Sequence, residues 1–168
     1  MWSGLLAVLH DYLPVLGADP GTAMKMRCKE NFGEGAWYNS KQTSVRNFCT
    51  LTQARLSIAA KRSWDNTGAT ASLAKLQNDV SRVRGYGAFW QHMLVAQGVV
   101  DIALDNIGLA QYEIAALVPI VQEAGRKFSD RFGAQDWRAN SLITTNHLMH
   151  DATLAYLPKY FCRQSQIA

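Results

Sequence analysis

At 168 residues the chain falls within one ordinary domain, long enough to bury about 70% of its unfolded surface. Its hydrophobic content of 48% and charged content of 18% fit a folded globular protein and exclude a disordered one. The net charge of +4 comes from scattered basic residues without a run of like charge, so nothing points to nucleic acid as a partner. Cys28, Cys49 and Cys162 are odd in number and contain no C-x-x-C, which fits free thiols in a reducing compartment. The apolar N-terminus lacks a basic region and is interrupted by His10 and Asp11. It reads as neither a signal peptide nor a membrane span, and the expectation is a cytoplasmic protein with no membrane partner.

The first third predicts short strands. SGLLAVLH (3–10) and LPVLGA (13–18) are apolar runs on either side of Asp11-Tyr12, a hairpin pattern. AMKMRCKE (23–30) alternates apolar and basic residues, AWYN (36–39) follows two glycines, and Asn39-Ser40-Lys41 turns the chain again. Together they predict a meander on one sheet over 1–60. LTQARLSIAA (51–60) combines a helical start with a strand, Ser63 to Gly68 reads as a loop, and 69–83 reads as an amphipathic helix on Leu73, Leu76 and Val80.

The stretch 84–128 organises the remainder. Gly85 and Gly87 break the chain, AFWQHMLVAQ (88–97) is helical up to Gly98, and VVDIAL (99–104) is a strand turned by Asn106 and Gly108. AQYEIAALVPIVQEAG (110–125) carries Ile114, Leu117, Val118 and Val121 on one helix face, with Gly125 at the C-cap position. SLITTN (141–146) is a buried strand, and HLMHDATLAYLPKYF opens a helix with Asn146 as its cap. Strands followed by alternating helices and strands make the class α+β, a single domain over 1–168 with a strand-rich part (1–60) and an alternating part (69–157).

Glu113 stands in the first turn of the 110–125 helix. A carboxylate there complements the positive end of the helix dipole, and it is also the kind of group that ligates a hard cation. His147 and His150 stand three apart beside Asp151, but no third ligand accompanies them, so they and His92 read as surface or half-buried helix histidines. Phe89-Trp90 reads as core packing, Ser63 and His92 form no triad motif, and Arg82 and Arg84 read as a solvated helix end.

GEGAW (33–37), QARLS (53–57), RGYGAFWQHMLVAQGVVDIA (84–103), YEIAALVPIVQEAG (112–125) and TTNHLMHDATLAYL (144–157) together resemble the C-terminal half of the inositol monophosphatase superfamily, with the bacterial histidinol-phosphate phosphatases as the nearest branch. The resemblance implies a layered αβαβα sandwich and Mg²⁺-dependent hydrolysis of a small phosphate monoester by a metal-activated water. It implies that the family's metal-binding aspartate falls on Glu113, after Tyr112. It places substrate-contacting positions at Ala88, where the family has aspartate, and at Asn106, one of two further acidic positions of which Gly108 is the other. Neither a Glu-Glu block nor an Asp-Pro-x-Asp-Gly-Thr block is present, and Asp19-Pro20-Gly21-Thr22 reads as a turn. Gly-Gly is replaced by Gly125-Arg126.

The expectation is a phosphatase of this family, N-terminally truncated, with Mg²⁺ as the family cofactor, one ligand at 113 and no catalytic residue of its own. The competing expectation is an inactive remnant or split-enzyme half serving as an interaction module. Its partner would be a second copy or a separate N-terminal half, bound through an uncovered apolar face.

Overall fold

The computed structural model describes residues 6–10, 13–19, 28–31, 35–38, 41–42, 50–59, 61–87 and 89–157. The first sheet runs in chain order through β1 (Leu6–His10), β2 (Leu13–Asp19), β3 (Cys28–Asn31), β4 (Gly35–Tyr38) and β5 (Lys41–Gln42), each antiparallel to the next. The expected hairpin is present, and so is the meander as far as Gln42, but the single sheet over 1–60 is corrected: Arg55–Ile58 pairs in parallel with two strands of the second sheet instead. The β1–β2 register slips between Val8 and Leu9, where Leu9 pairs with Pro14, a residue with no N–H to offer the ladder. Cys49 and Cys162, residues 20–22 of the Asp-Pro-Gly-Thr turn, whose Asp19 ends β2, and Ala88 lie outside the described residues.

The second sheet has the order β7-β6-β8-β10-β9, built from β6 (Arg55–Ile58), β7 (Arg82–Arg84), β8 (Ile102–Asp105), β9 (Arg126–Ser129) and β10 (Leu142–Asn146). β6 is parallel to both β7 and β8, whereas β10 is antiparallel to β8 and β9. Parallel neighbours need crossovers, and helices provide them here. α1 (Lys61–Asn66) and α2 (Thr70–Asp79) connect β6 to β7, and α3 (Trp90–Ala96) connects β7 to β8.

Alternation along β8 separates the two sides of this sheet. Ile102 and Leu104 pack with Leu56, Trp64, Leu73, Leu76, Ile143 and Met149 beneath α1, α2 and α5 (His150–Leu154). Ala103 points the other way and packs with Leu94, Val95 and Val100 of the α3 region. On that side α4 (Gln111–Glu123) lies against α3 and β9 and, on its far side, against β1 to β4. The described layers are therefore sheet, helix pair, sheet and helices, an α+β sandwich.

Pro119 stands in the middle of α4, where a ring and a missing N–H cost about 3 kcal/mol. Leu117, Val118, Ile120 and Val121 around it are buried, and at roughly 1.5–3 kcal/mol for each such side chain their burial outweighs the proline.

Three expectations are corrected. Residues 63–68 are not a loop, because Lys61–Asn66 form α1: Trp64 is fully buried and its indole Nε1 donates to the Ala59 carbonyl, anchoring a turn whose other side chains are polar. The helix from 69 ends at Asp79, and Arg82–Arg84 form an edge strand whose two arginines are exposed. His92 and His150 are buried, not surface residues, and only His150 belongs to α5, with exposed His147 preceding it. Asn146 does accept from the Met149 amide (3.1 Å), although the helix itself begins at His150.

His150 sits in its own polar nest, Nδ1 with the Thr145 hydroxyl (3.0 Å) and Nε2 with the Ser129 hydroxyl (3.0 Å). Burial first, and then the Lys127 charge, hold its pKa below the ordinary 6.5, with Asp151 opposing. The unfolded chain therefore binds a proton that the folded one resists. Stability contributed by neutral His150 is complete above pH 6.5 and is lost as the pH falls below it. The midpoint of urea unfolding is expected to drop between pH 6.5 and 5 in the wild type, with a shallower drop in His150→Gln. Leu117→Ala, in the core beneath α4, is expected to cost about 2–5 kcal/mol in the same experiment. Tyr112→Ala, on an exposed side chain, should change stability by less than about 0.5 kcal/mol.

Candidate functional site

The carboxyl ends of β6, β7 and β8 share one edge of the second sheet, and from it spring α1, the loop into α3 and the loop into α4. In open α/β sheets such an edge is where ligands are held. Glycine is favoured at two positions in the loop after β7. A side chain at Gly85 would press on the Ile58 carbonyl at 3.3 Å, and Gly87 has φ +72°.

A continuous set of hydrogen bonds crosses this edge. The Tyr86 amide donates to Ser57 Oγ (3.4 Å), and Ser57 Oγ donates to Gln91 Oε1 (2.8 Å). Gln91 Nε2 donates to Asp105 Oδ2 (2.7 Å) and to the Leu104 carbonyl (3.3 Å). His92 Nε2 meets the same Asp105 oxygen at 3.1 Å, while its Nδ1 meets the Thr144 hydroxyl at 2.9 Å. Ser57, Gln91, His92 and Thr144 are fully buried, and Asp105 nearly so. A carboxylate only accepts, so Nε2 of His92 carries the hydrogen. Oδ2 thus has two donors from successive residues of α3, and Oδ1 has no hydrogen-bond partner among the described residues.

Asp105 is the residue that sequence reasoning missed. The family resemblance places the acidic positions at Asn106 and Gly108, whereas the carboxylate stands one residue earlier, at the end of β8. A signal was present: Gln91 and His92 are adjacent polar residues in the otherwise apolar run AFWQHMLVAQ, and they needed a buried partner.

The residues singled out from the sequence are not brought together. Asn106 turns to the opposite face from Asp105: its Nδ2 donates to the Ser63 carbonyl (2.9 Å) and to Thr67 Oγ1, tying the β8–α4 loop to α1. Glu113 folds back on its own helix, with Oε2 accepting from the Ala110 amide at 2.9 Å while the Glu113 amide donates to the Ala110 carbonyl. That is the glutamate half of a capping box, with alanine providing only its backbone. The helix-dipole reading of Glu113 therefore has a contact in the structure.

A dication such as Mg²⁺ takes six oxygens in near-octahedral array and favours several carboxylates. Among the described residues no three histidine, cysteine, aspartate or glutamate side chains come together to hold a metal ion. Glu113 offers one uncommitted oxygen and Asp105 another, so the described donor set does not by itself fit Mg²⁺. At the opposite edge Asp101 accepts from the Arg55 amide (2.9 Å), and its charge steadies buried Arg126, whose pKa burial pulls below the ordinary range. That edge is structural. No helix among the described residues is long and apolar enough to cross a membrane.

Comparisons with known proteins agree with this architecture. A histidinol-phosphatase from Mycobacterium tuberculosis is 32% identical over 162 residues, covering 94% of this chain and 62% of that protein. The Streptomyces coelicolor histidinol-phosphatase is 30% identical over 166 residues, with the same shares. The chain thus spans 62% of the length of these curated relatives. Among solved structures, the Thermotoga maritima IMPase superposes with a TM-score of 0.82 at 22% identity, over 92% of this chain and 59% of that one. An inositol monophosphatase from Anabaena gives 0.82 at 20% identity, over 92% and 66%. The fold is that of these proteins, and the model of the inositol monophosphatase family matches residues 3–160. The chain belongs to the inositol monophosphatase family.

Proposed function

We propose that this chain carries the substrate-recognising part of a phosphomonoester hydrolase site, and that its substrate is of the histidinol-phosphate type. The observation that carries the reading is Asp105, a buried carboxylate with one oxygen clamped by Gln91 and His92 and the other left as an acceptor. Histidinol phosphate presents an ammonium group and an imidazole, both cationic or hydrogen-bonding, whereas an inositol phosphate presents only hydroxyls. A fixed carboxylate favours the former, since a bond to a charged donor is worth about 1.5–3 kcal/mol against about 1 for a neutral one. The two curated relatives named histidinol-phosphatase support the same choice.

Family members generally depend on Mg²⁺. In this reading the ion is held chiefly by carboxylates of the Glu-Glu and Asp-Pro-x-Asp-Gly-Thr blocks on a second polypeptide, with Glu113 as this chain's contribution. The chain's own task is to orient the substrate's amino end through Asp105. Isothermal calorimetry should show histidinol binding the purified chain more tightly than inositol. Asp105→Asn should weaken histidinol by about 10- to 100-fold, the loss of one charged bond. Equal affinity for both compounds, or no loss in the variant, contradicts the reading.

Phosphate release from histidinol phosphate with Mg²⁺ should be absent for the chain alone, and should appear when a polypeptide bearing the Glu-Glu and Asp-Pro-x-Asp-Gly-Thr blocks is added. Glu113→Gln keeps an acceptor for the Ala110 amide, so it should leave stability within about 0.5 kcal/mol of wild type. Glu113→Ala should cost about 1 kcal/mol through loss of the cap. A metal role for Glu113 requires that both variants lose the Mg²⁺ response of the reconstituted activity.

The alternative, an inactive interaction module, is favoured by one observation: Tyr86 and Tyr112, in the loop after β7 and the first turn of α4, are 46% and 72% exposed. A homodimer in size-exclusion chromatography that Tyr112→Ser converts to monomer, together with no binding of histidinol, would favour it.

A further inference from the structure

On the other face of the second sheet, a pocket lies between α1, the β8–α4 loop, the turn after β9 and the residues following α5. Trp64, Thr67, Asn106, Arg131, Phe132 and Leu157 line it, and it is small, leaving about 20 Å³ in which the centre of a water-sized group can sit. Its walls are mostly apolar, and among the lining residues one is a cation.

Arg131 is that cation, and its hydrogen-bonding capacity is almost unused. A guanidinium has five N–H donors. Among the described residues its guanidinium makes a single hydrogen bond, Nη1 to the Asn106 carbonyl at 3.5 Å, the outer limit of such a contact. Its Nε is buried and has no partner among the described residues. Asp130, the acid beside it in sequence, does not pair with it: Asp130 Oδ1 accepts from the Phe132 and Ala134 amides, both at 2.8 Å. The Phe132 ring lies under the guanidinium, 4.8 Å from centroid to Cζ, and covers one of its faces.

The other polar groups of the pocket are committed to one another. Asn106 Nδ2 is spent on the Ser63 carbonyl and on Thr67 Oγ1, and the Thr67 hydroxyl is turned to the carbonyls of Ser63 and Trp64. Among the described residues no carboxylate lines the pocket. Burial already disfavours the Arg131 charge, with the Asp130 charge opposing that effect.

We propose that this pocket binds a small oxyanion, a phosphate or a carboxylate, in the fork of Arg131. A planar fork with an unpartnered Nε matches two oxygens of such a group, where a single spherical anion meets only one donor well. The stacked Phe132 ring holds the fork in place before the ligand arrives. Asn106, which the family resemblance placed in contact with substrate, here forms a wall of a different cavity and steadies the loop through α1.

The test is a titration of the ¹⁵N-labelled full chain with inorganic phosphate and, separately, with acetate, each at constant ionic strength against sodium chloride. The Arg131 Nε–H resonance, identified by its loss in Arg131→Met, is expected to shift saturably with phosphate or acetate, and at least tenfold more tightly than with chloride. The thermal midpoint should rise in parallel. Arg131→Met should abolish the rise relative to its own unliganded state, Arg131→Lys should weaken it several-fold, and Glu113→Gln should keep it. Saturation by only one of the two oxyanions identifies the class. A linear response, one that chloride reproduces, or an undiminished midpoint rise in both arginine variants overturns the proposal, since bound water alone would then account for the pocket.

Discussion

A carboxylate buried at a strand end has to be met by donors, because leaving it unpaired costs several kcal/mol. How Asp105 is met governs the geometry of the whole sheet edge. Its two donors are consecutive residues of α3, and each is braced from behind: Gln91 by Ser57 of β6, His92 by Thr144 of β10. One carboxylate oxygen thereby fixes the start of α3 against β6, β8 and β10. Every member is fully buried or nearly so, and in a medium of low dielectric such a set is strong when complete and costly when broken.

The rest of the architecture sets that clamp in place. α3 and α4 fill the space between the two sheets, so α3 cannot shift without disturbing the packing of Met93 and Ala96 on Ile114, Leu117 and Leu142. Successive residues at the end of β8 serve opposite faces, Asp105 towards α3 and Asn106 towards α1. One short stretch therefore ties both helical layers to the sheet. Glu113, a few residues further on, closes the first turn of α4 on itself.

Much of this was legible in the sequence. The period-3.6 pattern of Ile114, Leu117, Val118 and Val121 marked α4 within a residue or two, and the apolar runs on either side of residues 11–12 marked the first hairpin. The family resemblance supplied the layered fold, which no periodicity reveals. What escaped was decided by tertiary contact. α1 is polar along most of its length and is held by a single buried tryptophan, and β7 is three residues on an exposed edge, too short to display a period. Asp105 escaped because the family resemblance sets the acidic positions by their spacing back from Glu113, while the signal for it lies 13 and 14 residues upstream, in two polar side chains of an apolar helix.

Preorganisation of Asp105 by His92 is the central claim, and the side-chain ¹⁵N spectrum of His92 addresses it most directly. The account predicts a hydrogen on Nε2 that exchanges slowly with water and shifts when histidinol is added to saturation. A hydrogen found on Nδ1 alone, or an Nε2–H resonance that saturating histidinol leaves unmoved, would contradict it.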